Sequence, residues 1–194
     1  MALKLITAPA TEPVSASEAK LHMRVDTTAD DTYIGTIITA ARQNVEAHLR
    51  RAIISQTWEW VADYWPRGSV IVLPKPPLIS VTSVKYTSDA GVEATFSSGD
   101  YIVDTDNEPG RIVLKTGKTW PSATLQEANG VRVRYVAGWA NAAAVPAAVR
   151  QAVLLVCGSL YENREDVIVA QGVSVGKLPF GVEALLAPYR VRGW

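Results

Sequence analysis

The sequence predicts an α+β protein in which a helical bundle, two helices before and about two after, is interrupted by an antiparallel β-sandwich or small barrel segment. Three observations carry this. Apolar residues recur every three or four positions from about 31 to 51. From Gln56 the period falls to two, and short strand-like runs alternate with Gly, Pro, Asn and Asp. After Pro146 the helical period returns. The expected divisions are an N-terminal helical part at 1–54, a β module at 55–138, and C-terminal helices with a tail at 139–194. The first and last of these would form one helical domain, because the β segment is set into a helical chain.

Residues before Pro13 read as a loose leader. Ser15 is placed to cap a first helix, with Glu18 three residues on to return the hydrogen bond, and this helix should end near Val25. The stretch DTTADD sets Asp30 and Asp31 at the positive end of a second helix, where capping carboxylates are favourable. That helix should bury Ile34, Ile37, Ile38, Ala41, Val45 and Leu49 and turn Arg42, Gln43, Glu46 and Arg50 the other way.

In the strand that follows, Trp58, Trp60, Ala62 and Tyr64 share one face, and Thr57, Glu59, Val61 and Asp63 the other. A turn at 66–68 leads to a strand at 70–73, and Pro74, Pro76 and Pro77 then lack the donor a ladder needs. Further strands are predicted at 79–86, 101–103, 111–115 and 131–136. Pro146 suits a first helical position for a helix running to about Arg164. Residues 166–180 read as a mobile loop, 181–187 as a short helix, and Pro188 as its stop, leaving the tail Tyr189-Arg190-Val191-Arg192-Gly193-Trp194.

Composition narrows the function. A chain of 194 residues, 48% hydrophobic, can bury a core without disulfides. Nineteen basic and nineteen acidic side chains cancel, which disfavours extended binding to nucleic acid. The single cysteine, Cys157, lies in the run AVLLVCGSL and reads as a small buried hydrophobe. No run of eighteen apolar residues and no signal-peptide core is found, so a soluble protein made in the cytoplasm is expected.

The triplet Gly117-Lys118-Thr119 imitates the end of a phosphate-binding P-loop, but six residues rather than four follow the preceding Gly110, and Pro121 disfavours the required helix. GVSVGKL at 172–178 misses the same spacing in the other direction. His22 and His48 lack zinc-like partners, and no nucleophile elbow occurs. No catalytic, cofactor-binding or metal-binding residue is therefore assigned, and binding is the expected business of the chain. Arg132 and Arg134 alternate with Val131, Val133 and Tyr135 and give one strand a basic outward face, either solvated or docked on an acidic partner. Trp58, Trp60, Trp65, Trp120 and Trp139 leave open a carbohydrate- or cell-surface-binding module, and the scattered carboxylates Glu162, Glu165 and Asp166 a small enzyme.

The order of several short motifs is more specific. EPVSASEAKLHMRVD at 12–26, DD at 30–31, QTWEW at 56–60, YIVD at 101–104 and RIVLKTGKTWP at 111–121 come first. VRVRYVAGW at 131–139, LYENRE at 160–165 and LPFGVEALLAPYR at 178–190 complete the series. In this order they resemble the head-tail connector, or adaptor, proteins of tailed bacteriophages. Ala16 departs from the pattern, where a bulkier apolar residue would be expected.

The resemblance implies a structural protein of the virion's head-tail junction, assembled in the host cytoplasm into a ring, usually dodecameric, beneath the capsid portal. Its partners would be further copies, the portal protein and a tail-completion or stopper protein, with DNA only passing through the channel and no membrane involved. Trp120 would be an apolar anchor at a strand-end turn. The tail, through Tyr189, Arg190, Arg192 and Trp194, would be mobile until ordered against a partner, and Arg132 and Arg134 would add a second contact.

Overall fold

The computed structural model describes residues 1–164 and 180–191. The chain forms two compact units, residues 1–10 with 50–140, and residues 11–49 with 141–194.

The first unit is built from β1 (Ala2–Thr7), β2 (Gln56–Ala62), β3 (Val70–Val72), β4 (Leu78–Thr87), β5 (Glu93–Thr95), β6 (Tyr101–Asp104), β7 (Arg111–Leu114) and β8 (Val131–Ala137). These make a five-stranded sheet in the order β1-β2-β8-β4-β5 and a three-stranded sheet in the order β3-β7-β6, both antiparallel. Each sheet ends in two edge strands, so the described residues close no barrel. Trp60, Val84, Val131, Val133 and Tyr135 of the larger sheet and Ile71, Tyr101 and Ile112 of the smaller lie in one hydrophobic cluster, joined by Phe96.

The leader is not loose. Leu3 pairs opposite Trp60 and Leu5 opposite Trp58, which gives the backbone of β2 a ladder on its otherwise open side. β2 does not follow simple alternation either, because Glu59, Trp60 and Val61 are all buried. β5 escapes the sequence reading because three residues, EAT, are too few to establish a period.

The second unit contains α1 (Ala16–Met23), α2 (Asp31–Leu49), α3 (Ala147–Glu162) and α4 (Phe180–Leu186). α1 packs on α2 and α3, α2 on α3, and α4 on α3. The capping box forms as read: the Glu18 N–H donates to Ser15 Oγ at 3.2 Å and the Ser15 N–H to Glu18 Oε2 at 2.8 Å. Glu18 also takes the Arg150 guanidinium, and these contacts, the Ser15 backbone N–H first, hold its carboxyl below the usual range.

All six predicted apolar positions of α2 are buried. The opposite face is corrected at two positions, since Arg42 and Glu46 are only 4% and 6% exposed. Arg42 Nε bonds Glu12 Oε2 at 2.7 Å and its Nη1 bonds Glu46 Oε2 at 2.8 Å, so the charges are covered as a neutralised group. The side chains of Asp30 and Asp31 also depart from a capping role. Asp30 accepts from the Tyr161 hydroxyl at 2.7 Å and Arg164 Nη2 at 2.9 Å, while Asp31 pairs with Lys20 at 2.7 Å.

Pro146 is the N-cap of α3, one position earlier than expected. Beyond α4, Ala187–Tyr189 tighten into one 3-10 turn that includes Pro188. The Val191 N–H then donates to the Leu49 carbonyl at 3.1 Å and its side chain is 8% exposed. Up to Val191 the tail is therefore tied to the end of α2, and the expectation of a mobile tail does not hold there. Residues 165–179 and 192–194, which include nearly all of the expected mobile loop, lie outside the described residues.

Candidate functional site

The Gly-Lys-Thr stretch is a turn at the end of β7. The Lys118 N–H donates to the Lys115 carbonyl at 3.0 Å, and Gly117 at φ +78° occupies the left-handed region that glycine adopts without steric cost. No helix follows, and Lys118 Nζ pairs with Asp100 Oδ1 at 2.6 Å across exposed surface. Lys118→Ala should therefore lower stability by less than about 1 kcal/mol in urea unfolding. Calorimetry should detect no magnesium-dependent ATP binding by the unchanged chain; specific binding lost in the variant would restore the P-loop reading.

Trp120 is an anchor. Its indole N–H donates to the Gly68 carbonyl at 2.7 Å, and its ring stacks on Trp65 at 4.9 Å with the planes 6° apart. Phe96 packs on both rings, and Trp60 is 6% exposed. The faces of Trp65 and Trp120 are engaged with each other and with Phe96, and Trp60 is buried, which takes these three tryptophans out of a carbohydrate-stacking platform. The Cys157 thiol is buried in α3 and pushed up to about 12, chiefly by desolvation, and so reads as inert packing. Among the described residues no cluster of His, Cys, Asp and Glu could hold a metal, and no helix is long and apolar enough to cross a membrane.

The arginines of β8 form a more organised site. β8 runs between β2 and β4, so Arg134 stands opposite Glu59 and Ser83, and Arg132 opposite Lys85. Arg134 Nη2 donates to Glu59 Oε1 at 2.8 Å. Arg132 Nη1 lies 3.7 Å from Glu59 Oε2, an ionic contact too long for a hydrogen bond. Lys85 Nζ bonds Glu93 Oε1 at 2.6 Å, and that bond is the first cause holding the Glu93 carboxyl below its usual range. Together with Ser83 these side chains line a recess of about 90 Å³.

The basic face expected from Arg132 and Arg134 is thus partly neutralised from within the sheet. Sequence reasoning placed Glu59 on the strand face opposite Trp58 and Trp60 but gave it no partner; it is 6% exposed. The available signal was the pairing of an acidic position on one strand with a basic position on its neighbour. A second, mostly apolar hollow of about 470 Å³ in the helical unit is lined by Val14, Ala16, Gly35, Ile38 and Ala142 among others. Ala16, the departure noted in sequence, faces this hollow. Of the tail residues, Tyr189 is half-buried and Arg190 exposed, while Arg192 and Trp194 lie outside the described residues.

The family model described as phage gp6-like head-tail connector protein matches residues 15–105. No curated protein is significantly similar to the chain. Among solved structures, a chain in the neck of an empty GTA particle computed with C6 symmetry is 27% identical with a TM-score of 0.81, covering 100% of this chain and 98% of that one. A chain in the virion of a native gene transfer agent particle is 27% identical with a TM-score of 0.80 over the same shares. A third, in the neck of the native particle computed with C12 symmetry, is 26% identical with a TM-score of 0.80, again covering 100% and 98%. The family model and the neck structures agree with the resemblance carried by the motifs, and together they support a head-tail connector.

Proposed function

We propose that this chain is a structural, non-enzymatic connector that assembles into a ring, a dodecamer in the particle, under the capsid portal. There it extends the DNA channel and offers the platform on which a tail-completion or stopper protein docks. The observation that carries the reading is the likeness, over 100% of this chain and 98% of that one, to a chain from a particle neck computed with C12 symmetry. In this reading the outer face of α2 and the last helix meet neighbouring copies, and the β unit, with its two sheets packed as a sandwich, is a domain set into a helical one. Tyr189, Arg190, Arg192 and Trp194 make one partner contact, and Arg132 and Arg134 another. Assembly takes place in the host cytoplasm, and DNA passes without sequence-specific contact, consistent with equal numbers of basic and acidic side chains.

Electron microscopy of the purified chain with and without portal complexes tests this. The free chain should be monomeric or weakly associated, because a ring closed before packaging would compete with the portal for assembly. Rings of twelve copies should appear on the portal. A chain that leaves portals bare, while heads and tails join normally without it, would overturn the proposal; a closed ring in dilute solution would overturn only the order of events.

A further inference from the structure

The recess on β8 contains a group that its own fold leaves unused. Arg134 is committed to Glu59, and Lys85 to Glu93. Arg132 is not: its Nε is buried and has no hydrogen-bond partner among the described residues, and its Nη1 reaches Glu59 only at 3.7 Å. A guanidinium presents planar donors suited to a carboxylate, and the Arg132 side chain, 38% exposed, makes no hydrogen bond among the described residues, so the exposed end of its guanidinium remains able to take one in this polar recess. The charge agrees. Lys85, Arg132 and Arg134 against Glu59 and Glu93 leave one positive charge, which a single carboxylate cancels.

We propose that this recess receives one carboxylate from an acidic side chain of a partner protein, held by the Arg132 guanidinium with the Ser83 hydroxyl beside it. Size and surroundings favour a carboxylate over a nucleic-acid backbone. About 90 Å³ admits one small head group, and a run of phosphates crossing the site would meet Glu59 and Glu93. Arg132 is the residue that discriminates, and Arg134 positions the wall by fixing Glu59. The connector reading supplies only the source of the carboxylate, a protein in the same ring or in an adjoining one.

The test uses the full chain and acetate as probe, with no requirement for ring assembly. In nitrogen-15 spectra, acetate added against chloride at constant ionic strength should shift the Arg132 Nε–H and the Ser83 amide saturably. Half-saturation should fall at roughly 10–100 mM, the range for one charge-assisted hydrogen-bonded contact to a small anion. Arg132→Gln, whose fold is checked by circular dichroism, should abolish the Ser83 shift. Should that variant unfold, the wild-type titration still decides. Shifts no larger than those in chloride, or equal shifts at all exposed arginines, would mean that water or bulk ions fill the recess and would overturn the site. A short DNA duplex that shifts the same two resonances at far lower concentration than acetate would overturn the carboxylate assignment. A failed titration would leave the connector reading standing, whereas a portal left bare by a chain that passes it would remove only the partner.

Discussion

Replacing Arg42 by methionine should destabilise the helical unit by about 3–5 kcal/mol, read as a fall in the urea midpoint at unchanged slope. The arginine side chain is 5% exposed and bonds two carboxylates, Glu12 at 2.7 Å and Glu46 at 2.8 Å. Methionine preserves much of the stem's packing but leaves a carboxylate at Glu46, 9% exposed, without its guanidinium. The desolvation already spent on that carboxylate then loses the compensation that Arg42 supplied. Glu12→Gln should cost less, because Glu12 is 27% exposed and water can replace part of the lost contact. Combining Arg42→Met with Glu46→Leu should recover most of the loss, since an apolar pair of similar volume needs no counter-ion. A loss below about 1 kcal/mol for Arg42→Met, or a double variant no more stable than the single, would show that the group is not energetically coupled.

The same residues show where sequence reasoning stops. The buried side of α2 was legible because Ile34, Ile37, Ile38, Ala41, Val45 and Leu49 repeat with the helical period, a local signal. Arg42 and Glu46 were not, because what allows their burial is Glu12, thirty positions from Arg42 and outside any helical register with it. β1 failed for a related reason: the six-residue strand Ala2–Thr7 is defined by pairing with β2, fifty or more residues later. At the candidate site the charges of Arg132 and Arg134 were visible, but their difference was not. Only the register of β2, β8 and β4 gives Arg134 a hydrogen bond to Glu59 and leaves Arg132 with just a longer ionic contact to it. The motif order, by contrast, needed no three-dimensional information, which is why the connector resemblance ran ahead of the site.

The second large effect concerns the end of the chain, where stability and function should separate at one residue. A chain ending at Ala187 should lose about 2–4.5 kcal/mol, since it forfeits the burial of Val191, about 1.5–3 kcal/mol, and the hydrogen bond from the Val191 N–H to the Leu49 carbonyl, about 0.5–1.5 kcal/mol. A chain ending at Val191 keeps both and should melt with the full-length protein. It lacks Arg192 and Trp194, a cation and a large aromatic of the types that carry interface energy, so it should still fold yet join heads to tails at a small fraction of the normal yield. The comparison matters because a loss of joining in the shorter chain alone could come from instability. Circular dichroism melts and a head-tail joining assay on both chains distinguish the two roles. Normal joining by the chain ending at Val191 would remove Arg192 and Trp194 from the interface, and an unchanged melt for the chain ending at Ala187 would mean that Val191 does not anchor the segment to α2.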